Sequence, residues 1–261
     1  MGKLVGVVHL PPLPGSPRAS AGGLVGIAKG AAEDARILAA AGYDAVIVEN
    51  FGDAPFFAGR VQPVTIAAMT ACALAVREAA PGLPVGINVL RNDGEAALSI
   101  AACVGAAFVR INVLTGARVT DQGIVQGEAA SIARLRRALV ADHVGVWADV
   151  DVKHSAPLGA ARPIAQEVED LTKRALADVV LVTGEGTGKG VDLEKLEAVA
   201  EASDKPVLVA SGATIEMLAP LSGVCAGVVV GSALREGGRA GGPIVPALAA
   251  EFAEAFRAAF A

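Results

Sequence analysis

Three charged residues, Asp149, Asp151 and Lys153, occupy alternate positions of Trp147-Ala-Asp-Val-Asp-Val-Lys-His154, a segment that otherwise reads as a buried β-strand. Alternate residues of a strand share a face. The spacing therefore predicts two carboxylates and an ammonium held side by side at, or just past, a strand end. Burying such charges is costly unless they pair, bind a metal or meet a ligand. Asp149 and Asp151 suit general acid/base chemistry, or ligation of a divalent ion together with Glu49. Lys153 offers two roles. A desolvated lysine forms Schiff bases with carbonyl substrates, whereas carboxylate neighbours raise its pKa and keep it charged. The second effect favours an electrostatic role, stabilising an enolate or oxyanion. A salt-bridged triad that merely braces the fold is the competing explanation.

The elements that position these residues alternate along the chain. Short apolar runs of strand type fall at 5–9, 45–49, 85–88, 108–112, 144–151, 179–183, 207–211 and 227–231. Helical patterns fall between them at 25–41, 63–80, 95–104, 127–141, 164–177, 193–202 and 215–221, with a last one at 244–260. Eight strands, each followed by a helix, predict a (β/α)8 TIM barrel. A doubly wound open sheet lacks the early Gly-x-Gly-x-x-Gly turn that would support it. No linker or composition shift divides the chain, so residues 1–261 are read as one domain. Asp192 is placed to cap the sixth helix, and Gly42 to follow the first. The longest irregular stretches, 10–23, 50–62, 113–126 and 153–162, all follow strands and so share the C-terminal rim.

The last polar residues of the strands form a ring: His9, Glu49, Asn88, Asn112, Asp149 with Asp151, Thr183, Ser211 and Gly231. His9, Glu49, Asp149, Asp151 and Lys153 are the catalytic candidates. Asn88, Asn112, Asp121 and Thr183 are candidates for binding substrate hydroxyls. The seventh and eighth strands end in Ser211-Gly212 and Gly231-Ser232. Loops at these two positions of a barrel often bind phosphate through backbone N–H groups, so these four residues are the candidate anion site. The Gly-rich segment 183–188 is expected to add amides or act as a flap. His143 precedes strand five and reads as structural; His154 faces the pocket only if the strand has already ended.

Composition narrows the classes. The chain of 261 residues carries a net charge of -5 and no basic stripe, which argues against nucleic acid. Nine aromatic residues in all, one Trp, one Tyr and seven Phe, leave a core of Ala, Val, Leu and Ile. Cys72, Cys103 and Cys225 are odd in number and widely spaced, and read as buried small hydrophobes in a reducing compartment. The uncharged run 217–234 contains Pro220 and three glycines, so it reads as a turn plus a buried strand rather than a membrane span. With no secretory signal at the N-terminus, a cytoplasmic location is expected.

The segments His9-Leu-Pro-Pro-Leu-Pro-Gly-Ser16, Val48-Glu-Asn-Phe-Gly-Asp53, Gly86-Ile-Asn-Val-Leu-Arg-Asn-Asp93, Arg110-Ile-Asn-Val, Thr120-Asp-Gln-Gly123, Asp149-Val-Asp-Val-Lys-His154 and Thr183-Gly together resemble the BtpA/SgcQ family. The resemblance spans nearly the whole chain and implies a TIM-type barrel. One branch of that family is associated with photosystem I biogenesis, another with bacterial sugar-related gene clusters. Two functions are expected. The first, drawn from the rim residues and not from the resemblance, is an enzyme, a lyase or aldolase, isomerase or glycosyl-bond hydrolase, acting on a phosphorylated sugar or nucleoside-like metabolite. It would be a homo-oligomer with a possible divalent ion as cofactor. The second is a non-catalytic biogenesis or assembly factor, with peripheral membrane association belonging to that alternative alone.

Overall fold

Val5 and Val7 pack inward from the first strand while Leu4 and Val8 pack outward, and this alternation recurs in every barrel strand. In the computed structural model, which describes residues 2–20, 22–184 and 190–261, eight parallel strands close a barrel. They are β1 (Lys3–His9), β2 (Ala45–Glu49), β3 (Val85–Asn88), β4 (Phe108–Ile111), β7 (Gly145–Val150), β9 (Val179–Val182), β10 (Val207–Val209) and β11 (Gly227–Val230). The barrel order is β1-β11-β10-β9-β7-β4-β3-β2. Helices α1 (Gly23–Ala40), α2 (Pro63–Ala79), α3 (Gly94–Val104), α4 (Ala129–Ala138), α5 (Ile164–Glu169), α6 (Leu193–Ala202), α7 (Leu218–Ser222) and α8 (Pro246–Ala259) alternate with these strands and wrap them. The fold is a single (β/α)8 barrel.

Two cores result. The inward residues Val5, Ile47, Phe108, Trp147, Leu181 and Val229 fill the barrel, and a larger shell of Leu, Val and Ala lies between strands and helices. At the N-terminal end Phe108 stacks on Trp147 with ring centroids 3.8 Å apart, and the Lys3 ammonium sits 5.8 Å from the Trp147 ring. The seam joins first strand to last, with Lys3 opposite Gly227. A Cβ at Gly227 would lie 2.0 Å from the Lys3 carbonyl oxygen, so only glycine permits that approach.

Several local expectations change. The stretches after strands four and five are not irregular: β5 (Ala117–Thr120), β6 (Gly123–Gln126) and β8 (Ser155–Pro157) build an antiparallel rim sheet in the order β6-β5-β8. The helix expected over 164–177 stops at Glu169 and continues as a π turn, Asp170–Arg174. Cys72 and Cys225 are buried, but Cys103 is exposed. Asp192 does cap α6, accepting from the N–H groups of Glu194 and Lys195 at 3.0 and 3.3 Å. The uncharged run 217–234 folds into α7, β11 and a short 3-10 turn. No helix among the described residues is long and apolar enough to cross a membrane.

Candidate active site

The same alternation that fills the barrel with apolar side chains delivers polar ones at its C-terminal end. His9 is the register partner of Glu49, Glu49 of Asn88, and Asn88 of Arg110. Four adjacent strands thus place polar side chains at one level, above the apolar layers. Arg110 is clamped in two-pronged fashion: its Nε and Nη2 each donate to an Asp149 carboxylate oxygen at 3.0 Å. The Asn112 amide donates to Asp149 Oδ2 at 2.8 Å, and Arg110 Nη1 lies 4.0 Å from Glu49 Oε2. The Asp149 side chain is 0% exposed. Burial works against the Arg110 charge, but Asp149 and then Glu49 outweigh it and hold the guanidinium above its ordinary value.

Above this network opens a cavity of about 430 Å³. His9 lies on its wall, its ring tilted against Phe51 with centroids 4.4 Å apart. His9 Nδ1 accepts the Gly241 N–H at 3.2 Å, and Nε2 faces Glu49 Oε1 at 3.7 Å. Burial, then the charges of Arg235, Lys153 and Arg110, press its pKa well below the usual value. The imidazole is therefore neutral at pH 7. Its proton sits on Nε2 and points towards Glu49, so the contact is N–H to carboxylate and not an ion pair.

Lys153 projects into the same cavity, with Nζ 3.1 Å from Ser211 Oγ. Its backbone is pinned on both sides: its N–H donates to Thr183 Oγ1 at 2.9 Å, and its carbonyl accepts from Arg91 Nη2 at 2.9 Å. Burial lowers its pKa, Arg110 and Arg91 lower it further, and Glu49 and Asp149 only partly offset them. The neighbouring carboxylates alone would raise it, but burial first, and then the two guanidiniums, reverse the sign. Ser211, Gly212, Gly231 and Ser232 line the opposite wall, with Gly212 at φ 77°. Behind this wall Arg235, 2% exposed, donates to the carbonyls of Gly231 (2.6 Å), Val7 (2.9 Å) and Gly242 (3.0 Å).

Not every expected residue joins. Strand β7 ends at Val150, and Asp151 turns into a left-handed conformation with φ 47°. The alternation stops there. Asp151 leaves the cavity for Arg118 and Lys195, so the three charges are not side by side. With Asp149 committed to Arg110 and Asp151 outside, the set Glu49, Asp149 and Asp151 does not converge for a metal. Among the described residues no three His, Cys, Asp or Glu side chains do. Asn88 lies beneath the cavity, donating to the Arg110 carbonyl at 3.0 Å and to Asn112 Oδ1 at 3.1 Å. Thr183 anchors the Lys153 backbone instead of facing substrate. Asn112 does reach the cavity wall, and Asp121 stands at the mouth, in the turn between β5 and β6. His154 also lines the cavity, because the strand has ended before it. Of the Gly-rich segment, positions 185–188 lie outside the described residues.

Arg91, Arg110, Phe51 and Phe56 also stand on the cavity wall, none of them among the residues expected there. For Arg110 a signal existed: it stands two residues before Asn112 and so shares its face.

A closed parallel barrel with its cavity at the carboxyl ends of the strands defines the class: a (β/α)8 barrel protein with a rim site. Solved structures of that class are similar over almost the full chain. Thiamine phosphate pyrophosphorylase from Pyrococcus furiosus aligns with a TM-score of 0.61 at 13% identity, covering 99% of this chain and 97% of that one. (S)-3-O-geranylgeranylglyceryl phosphate synthase from Thermoplasma acidophilum, solved with its substrate sn-glycerol-1-phosphate, gives 0.60 at 15% identity, covering 99% and 93%. These likenesses show the fold alone. Sequence shows the family: the BtpA family profile matches residues 2–258, and the chain belongs to the BtpA family. It is 44% identical over 253 residues to the photosystem I biogenesis protein BtpA of Synechocystis sp., covering 97% of this chain and 87% of that protein.

Proposed function

We propose that this protein is an enzyme of small-metabolite metabolism, acting on a phosphorylated sugar or nucleoside-like substrate by acid/base chemistry at the barrel rim. One observation carries the reading: a buried lysine in the rim cavity reaches Ser211, on the wall formed by the ends of β10 and β11. The substrate's phosphate rests on that wall, at Ser211, Gly212, Gly231 and Ser232, where small residues let it approach the backbone. Asn112 and Asp121 meet hydroxyls. Glu49 and the neutral His9 exchange protons with the reacting carbons or oxygens. Asn88, Asp149 and Thr183 hold the working groups in place. The phosphate compounds named for the barrels of similar fold support the reading as analogy only.

A second reading rests on a different observation, the 44% identity to a protein named for photosystem I biogenesis. In it the cavity serves an assembly role without turnover. A melting-temperature screen separates the two, using inorganic phosphate, sugar phosphates and nucleotides. A ligand present at a hundred times its Kd stabilises the folded state by about 2.7 kcal/mol. Stabilisation by a phosphorylated compound, abolished in Ser232→Asp, is the expected result. No shift with any phosphate compound would move the assignment to the assembly role.

A further inference from the structure

We propose that Lys153 is a covalent site: resting on the phosphate-metabolite reading above, its amine condenses with the carbonyl carbon of a phosphorylated aldehyde or ketone. The geometry is that of a nucleophile and not of an ion-pair partner. Among the described residues no carboxylate lies within ion-pair distance of Lys153 Nζ, and its one polar contact is the Ser211 hydroxyl at 3.1 Å. Lys195, in the first turn of α6, makes the contrast, because its ammonium is paired with Asp151. A buried ammonium without a carboxylate partner is costly, and the cost falls when the group is neutral. The direction of the Lys153 pKa agrees, since burial and two neighbouring guanidiniums all favour the uncharged amine. A lysine meant only to hold phosphate by charge gains nothing from such an environment.

The backbone fixes the approach as well. The residue's N–H is held by Thr183 and its carbonyl by Arg91, and from this anchored backbone the side chain lines the cavity. The step balances simply. The Nζ lone pair attacks the carbonyl carbon, and the carbon–oxygen π electrons move to oxygen. Both amine hydrogens end on that oxygen, which leaves as water, and the neutral imine then takes up one proton from solvent to become the iminium. The iminium withdraws electrons, so Glu49, on the same cavity wall, takes a proton from the adjacent carbon to give an enamine. Water reverses the linkage and frees the amine.

The test uses pyridoxal 5'-phosphate as probe, an aldehyde carrying a phosphate, followed by borohydride reduction and peptide mass mapping of the full-length protein. Pyridoxal, which lacks the phosphate, and inorganic phosphate as competitor complete the set. Lys153 is expected to be labelled ahead of Lys195, and the adduct is expected to be lost in Lys153→Arg, which keeps the charge. A melting temperature equal to wild type shows that this variant is folded. A probe that raises the melting temperature yet leaves Lys153 unlabelled overturns the covalent role while sparing the phosphate reading. Labelling of Lys153 that is equal with pyridoxal and indifferent to inorganic phosphate supports the covalent role and removes the phosphate reading. Neither labelling nor a melting shift overturns both.

Discussion

Asp149 and Asp151 flank Val150 at one strand end, yet they sit in opposite chemical settings. Asp149 is sealed inside, its carboxylate shared between a two-pronged arginine and the Asn112 amide. Asp151 is outside the cavity with its side chain 38% exposed, clamped between Arg118 of the rim sheet and Lys195 of α6. Arg118 also donates to Ser155 Oγ at 2.7 Å and approaches Glu167 at 3.9 Å, so the outer cluster ties rim strands β5 and β8 to helices α5 and α6. The inner cluster shapes the cavity floor, and the outer one fastens its cover. The same residue type does both because a single left-handed residue ends the strand between them. Proximity in sequence says little here about shared chemistry.

The comparison breaks most readily at Asp149. Asp149→Ala leaves the Arg110 guanidinium buried without its main partner, and losing one half of a buried pair costs about 3–5 kcal/mol. Urea denaturation reads this directly, and a cost no larger than that of Asp151→Ala would erase the distinction. The next effect belongs to His9, also on the inner side. Its folded pKa lies below the ordinary 6.5, so as pH falls below that value the unfolded chain takes up a proton that the folded protein refuses. Stability is present above pH 6.5 and is lost below it, by at most about 1.4 kcal/mol per pH unit. Melting curves from pH 7.5 to 5.5 should steepen in wild type and flatten in His9→Gln; parallel curves would remove the neutral-histidine assignment.

Smaller effects are expected on the outer side. Asp151→Ala should cost at most about 1 kcal/mol, because the pair is partly solvated. It should also speed proteolytic nicking of the turn at 120–123, as the rim sheet loses its tie. The least of the effects is the pH window of that pair. Burial works to raise the Asp151 pKa, but Lys195 and Arg118 outweigh it, so the carboxyl titrates below its ordinary 3.8. Its contribution is whole above that value and fades as pH falls through the folded pKa. The stability gap between wild type and Asp151→Asn should therefore hold at pH 6 and close in stronger acid. A gap that opens at neutral pH instead would put Asp151 in the inner class.

How far the sequence could be read follows from these residues. The barrel was legible because each of its strands is a short apolar run, and the cavity because His9, Glu49, Asn112 and the two glycine pairs end such runs. The rim sheet was not, since β5 and β6 expose residues such as Val119 and Ile124 and are four residues long, which reads as loop. Asp151 was misplaced because period two was carried one residue past the true strand end. The Lys153 pKa direction was not legible, since burial, its largest cause, shows only in the fold, and the cations that add to it lie far off in sequence, Arg91 past the end of β3 and Arg110 in β4. Charge balance inside a barrel mouth is a sum over several strands, and no one segment displays it.

The buried Arg235 has a consequence for biosynthesis. It bonds Val7 across 228 positions of chain, beside the seam where β11 closes on β1. At translation rates of about 5–20 residues per second, β1 waits roughly 10–45 s for that partner. Throughout this interval its free edge, rich in valine, is open to pairing with other chains. The seam shuts only once β11 and Arg235 have emerged, and the arginine then fastens an edge left open for most of synthesis.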